Sequence, residues 1–187
     1  MLASRLGAAL VACAAAACWH PVEALAGSTS GGTAPSPGAG ASGSAPLTTT
    51  PGARARLLRD GTAQAPESAP QAVQAVIAAG NRIAKLPYRY GGGHGNWNDT
   101  GYDCSGSVSY ALHGAGLLRD SAPATGFYGY GQPGTGRWIT IYANGGHMYM
   151  VVAGLRFDTS GRSQTGSRWQ VAQRSPDGFV VRHPTGL

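Results

Sequence analysis

Apolar and polar positions change their spacing several times along the 187 residues, and each change marks a predicted element. Leu6 to Trp19 is a continuous apolar run, and the stretch from Gly27 to Pro66 is dominated by Ser, Thr, Gly, Ala and Pro with almost no large apolar side chains. A helical period begins after Pro70: Val73, Val76, Ile77, Ile83 and Ala84 fall on one face, and Pro87 bars continuation beyond Leu86. A second short helix is predicted from Cys104, with Val108, Ala111, Leu112 and Ala115 as its apolar face and Gly114 or Gly116 as its stop. Residues 119–136 have no period but carry Phe127, Tyr128 and Tyr130, which predicts a long loop with aromatic contacts. Strand patterns follow at 138–142 and 147–152, joined by the hairpin signal Asn144-Gly145. A turn at Ala153-Gly154 leads into 155–159, and shorter runs at 169–172 and 179–182 complete an antiparallel sheet. Two helices followed by a run of strands predict an α+β domain.

The amino-terminal third is expected to stand outside that domain. The apolar run from Leu6 is shorter than the ~20 residues of a membrane span, and Ala24-Leu25-Ala26 offers the small residues of a cleavage site, so residues 1–26 read as a signal peptide. Leu10 to Cys13 gives a second reading, lipidation at Cys13. Residues 27–66 are expected to be a flexible tether, within which Leu57 and Leu58 could dock on the folded part, and residues 67–187 are expected to be the domain. The 30 Gly, 12 Pro and 12% charged residues suit loops and short strands and argue against a helical bundle.

Charge and cysteine content narrow the chemistry. The net charge of +6 survives loss of the leader, where Arg5 and Glu23 cancel, and suits contact with anionic wall polymers or membrane surfaces. The basic residues make no stripe, which disfavours nucleic acid. Cys13 and Cys18 leave with the leader, so Cys104 would be the single thiol of the processed chain, unable to form an internal disulfide or a multi-cysteine zinc site.

Cys104 opens a predicted helix behind a capping Asp103. Unpaired N–H groups and the helix dipole there favour a thiolate, and the Cys104 N–H could face a developing oxyanion. His147 opens a strand after a tight turn and is the candidate base, while His94, His113 and His183 are read as structural or solvent-facing.

The order Pro87-Tyr88-Arg89-Tyr90-Gly91-Gly92, Tyr102-Asp103-Cys104-Ser105-Gly106, Gly146-His147 resembles the NlpC/p-sixty family of bacterial cell-wall peptidases over residues 69–160. The resemblance implies a papain-like fold in which a helix-borne cysteine faces an antiparallel sheet carrying the histidine. It implies Cys104 as nucleophile and His147 as base, Tyr88 polarising the scissile carbonyl, and Ser105 and Asp103 beside the substrate. The family's third polar residue falls on Asp158 or Thr159; a two-residue turn at Ala153-Gly154 favours Asp158, and a carboxylate suits the role better than a hydroxyl. The implied substrate is the peptidoglycan stem peptide, cut between D-glutamyl and a diamino acid outside the cell or in its wall, with no metal and no cofactor. Alternatives are an amidase or acyltransferase using the same pair, or a non-catalytic wall-binding module. The sequence departs from the family pattern where Gly136-Arg137 stands in place of a Gly-Asp pair.

Overall fold

The computed structural model describes residues 49–187; the predicted leader and the tether up to residue 48 lie outside the described residues. Three short strands come first: β1 (Thr49–Thr50), β2 (Arg56–Leu57) and β3 (Ala63–Pro66). They form a small sheet in the order β1-β3-β2, with β1 parallel and β2 antiparallel to β3. Helix α1 (Gln71–Ile83) follows Pro70, and helix α2 (Cys104–His113) starts at the cysteine. The main sheet contains β4 (Gln132–Pro133), β5 (Ile139–Ala143), β6 (Met148–Val152), β7 (Leu155–Phe157), β8 (Trp169–Gln170) and β9 (Val180–His183), with a four-residue helix α3 (Arg162–Thr165) between β7 and β8. Its order is β4-β9-β5-β6-β7-β8 and every pair is antiparallel. The domain is therefore α+β, as the spacing of apolar residues predicts.

Both helices pack on this sheet through their periodic faces. Val73, Val76, Ile77 and Ile83 of α1, and Val108, Ala111 and Leu112 of α2, are buried against Ile139, Ile141, Met148, Met150, Val152, Phe157 and Trp169. Gly80 lets α1 approach closely, because a Cβ there would meet the Trp169 ring at 2.7 Å. The aromatic loop is anchored as expected: Phe127 is buried, Tyr130 packs on it, and the Tyr130 hydroxyl donates to the Leu117 carbonyl at 2.9 Å.

The expected flexible segment does not extend to residue 66. Residues 49–66, expected to be flexible, contain the three short strands β1–β3, and Ala63 and Ala65 belong to the core at 4% exposure each. The reason is backbone pairing. The Asn81 amide on α1 accepts from the Ala63 N–H and donates to the Ala63 carbonyl, both at 2.8 Å, so it pairs with β3 as another strand would. Small side chains then become an advantage, because Ala lets the strand lie close to the helix. The Ala55 N–H donates to the Ala153 carbonyl at 2.9 Å, which docks the neighbourhood of β2 on the turn between β6 and β7.

Asn81→Ala leaves a donor and an acceptor of Ala63 without their partners. It is expected to lower stability by about 1–3 kcal/mol, read as a reduced urea midpoint at unchanged slope. An unchanged midpoint would mean that β3 is not part of the cooperative domain.

Candidate active site

Helix α2 begins at Cys104 because Asp103 caps it. With φ at −79° and ψ at −173°, Asp103 is extended, and its Oδ1 accepts from the Gly106 N–H at 2.7 Å. Its Oδ2 accepts from the Gly91 N–H at 3.0 Å, and the Asp103 N–H donates to the Gly92 carbonyl at 3.2 Å. One carboxylate thus fixes both the helix start and the glycine loop. Gly106 is required by that contact, since a Cβ there would fall onto the Gly92 carbonyl.

The cysteine is free and half-buried. It sits in a cleft of about 350 Å³ lined by Tyr88, Tyr90, His94, Asp103, Ser105 and the Gly145-Gly146 tip, among others. Tyr88 is 54% exposed, so its phenol is open to a ligand in the cleft. Partial burial raises its pKa, with smaller contributions from Cys104 and Asp103.

His147 directly follows the Gly145-Gly146 tip that lines the cleft. The Asn144 side chain accepts from the N–H groups of Gly146 and His147 at 3.0 and 2.8 Å, so an Asx turn, with Gly145-Gly146 at its tip, holds the histidine backbone. The ring Nε2 lies 2.9 Å from Asp158 Oδ1. Burial pushes the imidazole pKa down, but the bond to Asp158, with a smaller contribution from the neighbouring Cys104, outweighs it, and the result is a rise to about 9. With Nε2 on Asp158, Nδ1 is the ring nitrogen left for the sulfur.

Strand register sets which of Asp158 and Thr159 meets the His147 ring. Ala153, with φ 45°, and Gly154, with φ 87°, make the two-residue turn, pairing Val152 with Leu155 and Met150 with Phe157. Continued one step, this register sets Asp158 opposite Tyr149, on the face that Tyr149 shares with His147. Thr159 falls on the other face and is buried there. Asp158 also caps the turn at Thr159–Gly161, its Oδ1 accepting from the Ser160 N–H at 2.8 Å. Burial alone would raise its pKa, yet the bonds from His147 and Ser160 hold it well below the usual carboxylate range.

Several neighbours carry no sequence signal. Arg174 Nη1 lies 3.2 Å from Asp158 Oδ2, and its guanidinium packs against both the Tyr149 and Phe179 rings, 5.3 and 5.5 Å from their centroids. Arg156 Nε lies 3.5 Å from the same oxygen. His94, read from the sequence as structural or solvent-facing, instead borders the cleft, with Nε2 at 3.2 Å from both Asp103 Oδ1 and Ser105 Oγ. His113 stacks on Trp97, and His183 contacts the Gly134 carbonyl, so both have structural roles. Among the described residues, no three His, Cys, Asp or Glu side chains gather as a metal centre would need, and no helix is long and apolar enough to cross a membrane.

No family model matches the chain. It is 33% identical over 136 residues to "Peptidoglycan endopeptidase RipB" of Mycobacterium tuberculosis, in two strains, covering 58% of this chain. The match takes in 52% of that protein, so the chain spans about half the length of the curated relatives it matches. The solved structure of the peptidoglycan hydrolase RipB from M. tuberculosis aligns with a TM-score of 0.48 and 24% identity, over 63% of this chain and 66% of that one. The sequence likeness to RipB supports the resemblance to the NlpC/p-sixty family carried by the motifs around Tyr88, Cys104 and His147.

The two shifted groups set a pH window for stability. Asp158, with its lowered pKa, contributes above the unfolded carboxylate range, and that part is lost as pH falls through its folded value. His147, raised to about 9, contributes fully below the unfolded value of 6.5, and that part is lost as pH rises towards 9. Asp158→Asn is therefore expected to cost more stability at pH 6 than at pH 9.5, by up to about 3 kcal/mol. Urea unfolding of both proteins at the two pH values measures this, and a pH-independent cost would contradict the ion pair.

Proposed function

We propose that this chain is a papain-like cysteine peptidase that hydrolyses an amide bond in the stem peptide of peptidoglycan. The observation that carries the reading is the His147 ring, bonded to a buried carboxylate through Nε2 and close enough to Cys104 to feel its charge. The sequence likeness to a peptidoglycan endopeptidase supports the substrate class. The finer assignment, cleavage between D-glutamyl and a diamino acid, follows the family resemblance. The leader at 1–26 would place the enzyme outside the membrane or in the wall, where its net charge of +6 suits anionic polymers.

In the proposed reaction, the thiol proton is already held on His147 Nδ1, whose ring is charged at neutral pH, and the Cys104 sulfur adds to the scissile carbonyl. Charge builds on the carbonyl oxygen, which the Cys104 N–H and the Tyr88 hydroxyl would receive. The intermediate collapses to a thioester as the C–N bond breaks, and the imidazolium returns its proton to the departing amine. A water molecule then loses a proton to His147 and adds to the thioester carbonyl, releasing the acid and restoring the charged pair. Asp158 holds the ring with Nδ1 towards sulfur throughout and stabilises it while it is charged. Ser105, Asp103 and His94 form one polar wall for the peptide.

Cys104→Ala is expected to abolish release of stem-peptide fragments, read by mass analysis of digested peptidoglycan, while the melting temperature stays close to that of the parent, since Ala suits a helix start. Residual turnover by this variant would end the proposal. Asp158→Asn is expected to slow turnover roughly 10- to 1,000-fold and to move the alkaline limb of the kcat/KM profile to lower pH, because the imidazolium loses its counter-charge. Thr159→Ala should leave the profile in place; the opposite ranking of these two variants would mean that the β6–β7 register is shifted by one residue.

A further inference from the structure

We propose that Arg168 is a positioning residue for the Cys104–His147 pair, its guanidinium and its backbone together fixing the segments that carry Tyr88, Cys104 and Asp158 relative to one another. This inference rests on the cysteine-peptidase reading above. Arg168 lies just before β8, is fully buried, and uses every donor it has. Nε donates to Ser107 Oγ at 2.9 Å. Nη1 donates to the carbonyls of Ile83 and Leu86, both at 2.6 Å, and Nη2 to those of Pro87 and Tyr102 at 3.2 and 3.0 Å. The five N–H groups of a guanidinium are thereby matched to five acceptors.

Those acceptors belong to the parts of the chain that build the cleft. Ile83 ends α1, where carbonyls lack helical partners. Leu86 and Pro87 lead directly into Tyr88. Tyr102 precedes the capping Asp103, and Ser107 lies in the first turn of α2, its Oγ donating to the Asp103 carbonyl at 2.6 Å. The Arg168 backbone adds the last segment: its N–H donates to the Ala84 carbonyl at 2.9 Å, and its carbonyl accepts from the Asp158 N–H at 2.8 Å.

Fold stability alone does not call for this arrangement. No carboxylate pairs with Arg168 among the described residues, and burying an unpaired cation is costly where an apolar side chain of similar size would pack without that penalty. What a guanidinium supplies is a rigid planar fork that sets carbonyls from separate segments at fixed distances, which Lys cannot reproduce. Burial, with the Arg162 charge nearby, lowers its pKa to about 10, so it remains cationic at neutral pH.

The test uses the full chain carrying Arg168→Lys or Ser107→Ala. Three quantities are read: melting temperature, kcat and KM on peptidoglycan, and the pH dependence of iodoacetamide alkylation measured on the peptide containing Cys104. Arg168→Lys is expected to fold with a lower melting temperature, to lose roughly 10- to 100-fold in kcat with little change in KM, and to have its alkylation curve displaced to higher pH. A folded Arg168→Lys with parental kcat and alkylation curve overturns the proposal. If Arg168→Lys does not fold, Ser107→Ala decides, because it cuts the tie to α2 and keeps the charge. The same signature at smaller size supports positioning, and parental behaviour overturns it. Should the parent protein fail to release any stem-peptide fragment, the proposed function falls, while the alkylation curves still decide the role of Arg168.

Discussion

The constraint on which the site depends is the register between β6 and β7. A two-residue turn with both residues in the left-handed region matches the twist of the flanking strands and fixes which residues share a face. Were the pairing to slip by one residue, Thr159 would face His147 and Asp158 would turn towards the interior, leaving a carboxylate without its cationic partners. Ala153 is a non-glycine residue in that turn and carries a local cost of about 1 kcal/mol. Its backbone is held on both sides: its N–H donates to the Trp138 carbonyl at 2.7 Å, and its carbonyl accepts from the Ala55 N–H at 2.9 Å. The amino-terminal strands therefore brace the turn that sets the chemistry, a long-range link that explains why residues 49–66 are ordered with the domain.

Electrostatics at the two ends of the cleft follow one plan, in which a largely buried carboxylate is saturated with donors. Asp158 takes His147, the Ser160 N–H and Arg174. Asp103 takes Gly106, Gly91, Ser105 and His94. The outcomes differ because the partners differ. Around Asp158 the donors include cations, and the carboxylate keeps the imidazole charged at neutral pH; around Asp103 they are mainly backbone N–H groups, which hold a loop and a helix start in place. The cleft thus has one end built for charge and one built for shape.

Most of the fold is legible in the sequence because the relevant signals are local. The helix faces at Val73–Ile83 and Val108–Leu112, the proline stop, the Asp103 cap and both turns of the hairpins are carried by residues close in sequence. What could not be read is held by side chains acting at a distance. Asn81 recruits β3 from 18 residues away, and a composition of Ala, Gln and Pro gives no sign that a strand will be pinned by an amide on a helix. Arg174 and Arg168 look like ordinary surface cations in a basic chain, yet one clamps Asp158 and the other is sealed in the interior. His94 was placed by its flexible glycine surroundings, and only the folding of the loop onto Asp103 brings its ring to the cleft.

The central claim is that the Cys104 sulfur becomes acylated by a stem-peptide carbonyl, and the direct measurement is the mass of the enzyme caught during turnover. Mixing the protein with solubilised peptidoglycan fragments, quenching in acid within milliseconds to seconds and mapping the digest should reveal a thioester adduct on the peptide containing Cys104. Its mass should equal the amino-terminal part of the stem peptide up to and including D-glutamate, and alkaline hydroxylamine should remove it. Fragment release with Cys104 unmodified at every quench time, together with turnover that survives prior alkylation of Cys104, would contradict the account.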